Sequence, residues 1–383
     1  MIIKNANIYL EDRVLENGYL KIENGKISSY GLMESMPQDD VVIDALGQSL
    51  VPGFIDQHIH GANGSDHMDA SFEALGNIAT FLPKEGTTSY LATTMTQSVE
   101  SVSAALTKIA DYMEQENKPG QAEILGSHLE GPCISLKHIG AQNPNYVIKP
   151  TKESFDHFWE ASRHTVKLVT YAPEEAQEGF TDYLRSLDVV PSAGHTDASY
   201  EQIVNEIPKG LKNLTHFHNA MTPHHHRTPG VVTAGFMHDE LKAELIVDGI
   251  HLHPAVVKAT YEIKGADNVI LITDAMRAKG LPDGKYDLGG QEVTKVGYEC
   301  RIATGSLAGS VAEMDFAVRN FSDYTGAPLR ELVKVSSENA ARNLNVFDRK
   351  GSIRVGKDAD LVILDKDLKV QLTLCRGVVA YSK

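Results

Sequence analysis

The chain has 383 residues, 42% of them hydrophobic and 23% charged, which is typical of a large globular domain accompanied by a smaller one. Its formal net charge of −15 argues against general nucleic-acid binding, although a local basic pocket can still hold a small anion. The three cysteines, Cys133, Cys300 and Cys375, are far apart and odd in number, which argues against a disulfide framework and against a cysteine zinc site.

The N-terminal region has the character of short strands joined by tight turns. Its first residues, MIIKNANIYLEDR, alternate in character and include early acidic side chains, so they are unlike a signal peptide. No apolar stretch approaches the length of a membrane span, and we therefore predict a cytoplasmic protein. The Asn-Gly pairs at 17–18 and 24–25 are typical of hairpin turns.

Eight apolar runs alternate with amphipathic helical stretches between residues 53 and 345. The candidate strands are GFIDQHIH, TTSYLATT, EILGSHLE, VKLVTYAPE, VVPSAGHT, LKNLTHFHNAM, AELIVDGIH and NVILITDAM. The candidate helices include SVSAALTKIADYMEQEN, KESFDHFWEASR and SYEQIVNEI. This alternation predicts a parallel sheet, and at this length a closed (β/α)8 TIM barrel is the economical arrangement. Residues 281–300 predict a β-hairpin inserted after the eighth strand.

The C-terminal region resembles the N-terminal one. The run GSIRVGKDADLVILDKDLKVQLTLCRGVVAYS alternates with a period near two, as half-buried strands do. Because chain ends often lie close together, we predict one small β-sandwich domain assembled from residues 1–52 and 346–383.

Polar side chains that can bind metals follow several of the candidate barrel strands. In a TIM barrel the chemistry lies at the C-terminal ends of the strands. The side chains at these ends are His58 and His60 on the first strand, Glu130 on the third, His195 on the fifth, His216 on the sixth and Asp274 on the eighth. Alternation along a strand places His58 and His60 on one face, where two imidazoles can reach the same metal ion.

Each of these residues, taken alone, has an ordinary structural explanation. Glu130 could be a surface carboxylate, His195 a core or capping histidine, and Asp274 the N-cap of the next helix. His216 has a competitor in His218, which alternation places on the same face. A random scatter of histidines would not follow strand ends so consistently, so the set as a whole predicts a metal site.

The donor set also has a chemical logic. Imidazole nitrogens with a carboxylate suit zinc, iron, manganese or cobalt rather than magnesium or calcium. A bridging Glu130 could hold two metal ions, with His58 and His60 on one and His195 and His216 on the other. A metal lowers the pKa of a bound water to about 7, which creates a hydroxide nucleophile, and Asp274 could move the proton. This arrangement predicts a hydrolase.

At this point the sequence resembles a known family. The His-x-His pair, the later histidines and the final aspartate look like the amidohydrolase superfamily. The motifs HLEGP, LTHFHNAM, LIVDGIHLHP, LITDAM and TGSLAGS, in this order and spacing across the whole chain, are similar to those of N-acetylglucosamine-6-phosphate deacetylases. That family removes the acetyl group of N-acetyl-D-glucosamine 6-phosphate in amino-sugar catabolism and cell-wall sugar recycling, releasing glucosamine 6-phosphate and acetate.

The resemblance implies a role for each residue at the strand ends. Glu130, His195 and His216 correspond to the ligands of the main metal. Asp274 corresponds to the general base that activates water and then protonates the departing amine. His58 and His60 match the members that hold a second metal, so we predict two divalent ions per subunit.

The resemblance also implies a pocket for the sugar phosphate and a homodimer that completes it. The residues concerned are Asn219 and Ala220, largely through main-chain amides, Arg227 and His251 across the dimer interface, and Leu307 near the sugar. An acidic protein needs such a local cationic pocket for a phosphate, and arginine is a bidentate donor. Arg227 could instead be a solvated loop residue, and the neighbouring histidines 224–226 receive no role.

One position departs from the family pattern. Some members carry a histidine twelve residues after the metal glutamate, where it polarises the acetamide carbonyl, and this chain has Gln142 there. Glutamine donates a neutral hydrogen bond but carries no proton to transfer and no positive charge. Either the metal ions polarise the carbonyl, or His138 or another residue does.

Four other functions compete with the deacetylase. Amidohydrolases of cyclic amides often bridge their metals with a carboxylated lysine at the end of the fourth strand, but Lys167 lies near the start of that strand. A nucleobase deaminase gives no reason for Arg227 beside THFHNAM. A non-catalytic scaffold typically loses ligands, and this chain keeps them. A nucleotide-binding protein is disfavoured, because no phosphate loop or dinucleotide fingerprint precedes a helix.

Overall fold

Eight parallel strands form the centre of the computed structural model, which describes residues 1–383. They are Phe54–Ile59, Thr87–Thr93, Glu123–Glu130, Val166–Tyr171, Val190–Ala193, Asn213–Leu214, Lys242–Ile246 and Val269–Ile272. Consecutive strands of this series pair in parallel, from the first to the eighth. The predicted (β/α)8 barrel is therefore confirmed, and the strands are called first to eighth below.

The first and eighth strands are not paired as a regular ladder, and the barrel closes between them through individual hydrogen bonds. The Asp274 amide donates to the His58 carbonyl at 2.8 Å, and the His60 amide donates to the Ala275 carbonyl at 2.9 Å. Below them the Thr273 hydroxyl donates to the buried Asp56 carboxylate at 2.5 Å. The seam thus joins the two strand ends that carry His58, His60 and Asp274.

The helices follow from caps and apolar periodicity. In the longest helix the Ser98 hydroxyl caps the first turn, and Val102, Ala105, Leu106 and Ile109 form the buried stripe that helical spacing predicts. The α-helices are Phe72–Phe81, Val99–Gln115, Lys152–Ala161, Phe180–Ser186, Tyr200–Glu206, Val231–Met237, Pro254–Lys264, Met314–Thr325, Leu329–Val333 and Asn339–Asn343. None of them combines the length and the apolar character needed to cross a bilayer.

Most of the strands end earlier than the apolar runs of the sequence. The sixth run, LKNLTHFHNAM, contributes only Asn213–Leu214 to the sheet, and the seventh ends at Ile246 before DGIH. The polar residues that follow enter turns, in which their side chains and amides bond to one another rather than to a neighbouring strand.

Strands from both termini share one mixed sheet, as predicted. The strands are Ile2–Tyr9, Val14–Glu23, Lys26–Leu32, Val42–Asp44, Ser49–Pro52, Leu361–Leu364, Val370–Cys375 and Val378–Ser382. Ser49–Pro52 joins the two parts, because it pairs with Ile2–Tyr9 on one side and with Leu361–Leu364 on the other. The domain boundaries themselves, residues 1–52 and 346–383 around a barrel at 53–345, stay a prediction.

The insertion after the eighth strand has three strands rather than the two of the predicted hairpin. Gly284–Leu288, Gln291–Val296 and Glu299–Ile302 form an antiparallel meander. The extra reversal occurs at Gly297, whose positive φ of 59° permits a two-residue turn between the second and third of these strands.

A buried ion network fastens the terminal sheet to the barrel. Glu123, the first residue of the third strand, accepts a bidentate pair from Arg349 at 2.8 and 2.9 Å and a further contact from Lys350 at 2.7 Å. Lys350 also pairs with Asp360 and Asp358. The acidic cluster of Glu123, Asp358 and Asp360 thus already has its cations, which accounts for its proximity without a metal ion.

We expect Glu123→Gln to lower the free energy of unfolding by about 3 kcal/mol at pH 7. Burial raises the pKa of Glu123, but Arg349 and Lys350 outweigh this effect and hold the pKa at about 2, against an ordinary 4.5. The contribution is therefore full above pH 4.5 and declines as the pH falls towards 2. Urea unfolding at pH 7, 5 and 3.5 would measure it, with the exposed Glu114→Gln as control. A wild-type advantage that is the same at all three values would contradict this account.

Candidate active site

A cavity of about 410 Å³ opens at the C-terminal ends of the barrel strands. It is lined by most of the residues that the sequence nominates: His60, Glu130, Gln142, His195, His216, Asn219, Ala220, His251, Asp274 and Leu307. His58 is completely buried within contact distance of Glu130 and Asp274. Arg227 is exposed and does not line the cavity. The structure thus brings together every predicted site residue except Arg227.

Glu130 is the centre of the site. Its Oε1 atom lies 3.1 Å from Nε2 of His216, 3.4 Å from Nε2 of His195 and 3.5 Å from Nε2 of His58. Its Oε2 atom lies 3.1 Å from Nε2 of His60. One carboxylate therefore faces all four predicted histidines, which is the position expected of a group that bridges two metal ions.

Asp274 forms a triad with His58 and His60, next to the triad of Glu130, His195 and His216. Its Oδ1 atom lies 3.1 Å from Nε2 of His60 and 3.3 Å from Nε2 of His58. The potential ligand atoms of His58, His60 and Asp274 all lie within 4.8 Å of one another, and so do those of Glu130, His195 and His216. Two adjacent clusters of metal-binding type share one buried site.

The backbone at the strand ends is bent to aim these side chains. His195, His216 and Asp274 have positive φ values of 48°, 33° and 48°, a region that non-glycine residues occupy at a cost of about 1–3 kcal/mol. Close packing adds a further constraint, because a side chain on Gly194 would meet Thr215 at 2.6 Å. Backbone strain of this kind is concentrated at active sites and ligand-binding sites.

The outward hydrogen bonds of the histidines decide which nitrogens face the site. Nδ1 of His195 contacts the His138 carbonyl at 2.8 Å, and Nδ1 of His58 contacts Glu244 at 3.3 Å. In the neutral rings the proton therefore lies on Nδ1, and Nε2 presents a lone pair to Glu130. Nε2 of His58 is buried without a hydrogen-bond partner. Converging lone pairs and carboxylates suit a divalent cation of the zinc, iron, manganese or cobalt type.

In the protonated form of the histidine rings, both site carboxylates are ionised. Burial raises the pKa of Glu130, but the charge of His58 and the hydrogen bonds from His195 and His216 hold it well below its usual range. Burial also raises the pKa of Asp274, and the charge of His58 and the hydrogen bond from His60 bring it below its ordinary value. An ionised Asp274 at the cavity wall can accept a proton.

Gln142 has both ends of its amide engaged. Its Nε2 atom donates to Oε2 of Glu130 at 3.0 Å, and its Oε1 atom accepts from the Thr96 amide at 2.8 Å. His138 also lines the cavity, with its Nε2 atom 3.2 Å from Asp197. Gln142 therefore steadies the central carboxylate.

His218 does not lie in the site, although alternation placed it on the same face as His216. The sixth strand ends at Leu214, and both histidines lie in the turn beyond it with positive φ. Nε2 of His218 bonds to the Thr260 hydroxyl at 2.9 Å, among the helices outside the barrel. The period-two rule fails here because the strand has ended.

Two carboxylates with supporting roles escaped the sequence analysis. Asp248 contacts Nδ1 of His251 at 2.7 Å and so orients its ring. Glu244 lies in the barrel interior and contacts His58. The available signal for Glu244 was a single charge within the otherwise apolar run AELIV, where a parallel barrel strand is buried on both faces.

This chain is similar to known proteins over almost its whole length. The model of the amidohydrolase family matches residues 49–380. N-acetylglucosamine-6-phosphate deacetylase from Bacillus subtilis is 43% identical over 100% of this chain and 97% of its own length. N-acetylgalactosamine-6-phosphate deacetylase from Escherichia coli O157:H7 is 36% identical over 99% of both.

A solved structure has the same fold. A mutant N-acetyl-D-glucosamine-6-phosphate deacetylase from Mycobacterium smegmatis, in complex with N-acetyl-D-glucosamine-6-phosphate, superposes with a TM-score of 0.92 at 30% identity. The match covers 100% of this chain and 99% of the other. With a family model matched over most of its length and full-length relatives above 30% identity, this chain belongs to the amidohydrolase family.

Proposed function

We propose that this chain hydrolyses the acetamide of N-acetyl-D-glucosamine 6-phosphate, releasing D-glucosamine 6-phosphate and acetate. The observation that carries the proposal is the pair of metal-type triads around Glu130, placed in one cavity with Asp274. The full-length relatives support the substrate. A cyclic-amide hydrolase or nucleobase deaminase lacks such support, and the two triads retain every predicted ligand, unlike a non-catalytic scaffold.

We assign two divalent ions to the two triads. Glu130, His195 and His216 would hold the main ion, and His58 and His60 would hold the second, with Glu130 shared between them. Zinc, iron, manganese and cobalt all suit this donor set. Metal ions bound there would lower the pKa of a coordinated water and polarise the acetamide carbonyl.

Asp274 supplies the proton transfers. Its ionised carboxylate takes a proton from the attacking water, whose oxygen bonds to the acetyl carbon. As the bond between that carbon and the amine nitrogen breaks, the same carboxyl returns the proton to nitrogen. The two steps leave acetate and the free amine, and Asp274 ends in its starting state.

Carbonyl polarisation does not fall to Gln142 in this proposal. Its amide is engaged with Glu130 and the Thr96 backbone, and it has no charge to offer. We assign Gln142 to holding the orientation of Glu130. This arrangement suits a site with two cations more than a site with one.

We place the sugar phosphate against Asn219, Ala220 and His251, with Leu307 near the ring. Arg227 is the remaining hydrogen-bond donor to the phosphate. Because it is exposed and lies outside the cavity of its own chain, we assign it to the phosphate site of a neighbouring subunit in a homodimer. A cytoplasmic location agrees with a sugar-phosphate substrate. The relative from Escherichia coli makes N-acetyl-D-galactosamine 6-phosphate the second candidate substrate.

The first experiment measures acetate release from N-acetylglucosamine 6-phosphate, its galactosamine epimer and unphosphorylated N-acetylglucosamine, with and without prior chelation. We expect fast release from a phosphorylated sugar, loss of release after chelation, and recovery when metal is added back. Absence of release from both phosphorylated sugars, in protein shown to contain metal, would refute the proposal. The faster epimer identifies the substrate.

Asp274→Asn should reduce kcat by about 100- to 10,000-fold while metal remains bound, because the amide cannot accept the proton. The measurement is kcat together with metal content per subunit. Asp367→Asn, an exposed position in the turn between Leu361–Leu364 and Val370–Cys375, is the control. Normal turnover by Asp274→Asn would remove this residue from the mechanism.

Arg227→Ala should raise KM for the phosphorylated substrate at least tenfold with a smaller change in kcat, because a charge-assisted pair with phosphate is lost. Steady-state kinetics measures both constants. His224→Ala, on the same exposed loop, should leave them unchanged. An unaltered KM in Arg227→Ala would show that the arginine is only a solvated loop residue.

A further inference from the structure

Glu244 is a completely buried carboxylate in the barrel interior, at the middle of the seventh strand. None of its contacts is with a lysine or an arginine. Oε1 accepts from Nε2 of Gln57 at 2.6 Å and from Nδ2 of Asn213 at 2.9 Å. Oε2 accepts from the His216 amide at 3.2 Å and contacts Nδ1 of His58 at 3.3 Å.

The environment holds Glu244 in one orientation. Asn343 donates to Oε1 of Gln57 at 3.1 Å and to Oδ1 of Asn213 at 3.3 Å. Both amides therefore present their N–H groups to Glu244. The network runs from Asn343 to the ring of His58, and its geometry is set before any ligand arrives.

A buried carboxylate without a cation is expensive, even when it is fully hydrogen-bonded. Glu244 forms no ion pair with a lysine or an arginine, and its only titratable partner is His58. The opposite nitrogen of that ring faces Glu130 at 3.5 Å and Asp274 at 3.3 Å. The positive charge that balances Glu244 must therefore lie on the His58 ring or on a cation bound to its opposite nitrogen.

We infer that Glu244 is a positioning residue that fixes His58 as a ligand and thereby retains the second metal ion. The contact of Glu244 with Nδ1 assigns the proton of the neutral ring to that nitrogen. Nε2 is then left with a free electron pair that can bind a metal ion. Glu130, Asp274 and Glu244 together carry more charge than one divalent ion neutralises. This inference rests on the proposed two-metal site.

The direct test is the metal content of Glu244→Gln, a change that keeps the volume and removes the charge. Purified proteins are dialysed against metal-free buffer and then titrated with zinc. We expect the second ion to bind 10- to 100-fold more weakly and the first ion to bind unchanged. Ser192→Ala, in the same buried network but without contact to His58, should keep two ions.

Outcomes of the titration separate positioning from a general structural role. Equal weakening of both ions, or two ions bound as in wild type, would overturn the inference. Wild-type protein that holds one ion while releasing acetate would overturn it and leave the proposed function standing. If wild-type protein binds two ions but releases no acetate, the proposed function is refuted and the inference about Glu244 still stands.

A second measurement needs no folded Glu244 variant. Zinc-loaded wild-type protein with 15N-labelled histidine reports which ring nitrogen of His58 carries its proton, with the signal assigned from its loss in His58→Asn. We expect the proton on Nδ1. A proton on Nε2 would overturn the inference.

Discussion

The convergence of four imidazole rings on one carboxylate is the constraint on which this structure depends. Glu130 has the four Nε2 atoms of His58, His60, His195 and His216 within 3.5 Å. These polar groups give up their hydration in a dry interior, so they stay together only if the fold forces them together. The barrel supplies that force, because its strands end in a ring and their loops are bent inward.

The sequence was sufficient to predict this arrangement at low detail. Strand ends of a parallel barrel meet at one rim, so the order of apolar runs already placed Glu130, His195 and Asp274 together. Their exact partners were beyond reach. Gln142 follows Glu130 by twelve residues, and only the path of the loop turns its amide back onto that carboxylate. Turn geometry also separates His218 from His216, which no alternation rule can foresee once a strand has ended.

The buried polar interior was the part least visible in the sequence. Barrel cores are usually filled with branched apolar side chains, and in the strand pattern Gln57, Asn213 and Glu244 look like isolated exceptions. Their meaning depends on distance in space, since Glu244 contacts residues 186 and 187 positions earlier. Arg227 lies on the surface of its own chain, and a role in a neighbouring subunit depends on contacts between chains, which the pattern of one sequence does not specify.

The strand Ser49–Pro52 has a consequence for how the chain is made. One of its edges pairs with Ile2–Tyr9 early in synthesis, but the other waits for Leu361–Leu364, about 300 residues later. Until then the nascent chain exposes an open strand edge, a template for pairing with other chains. The chain must therefore be translated past Leu364 before this edge of Ser49–Pro52 is paired and protected.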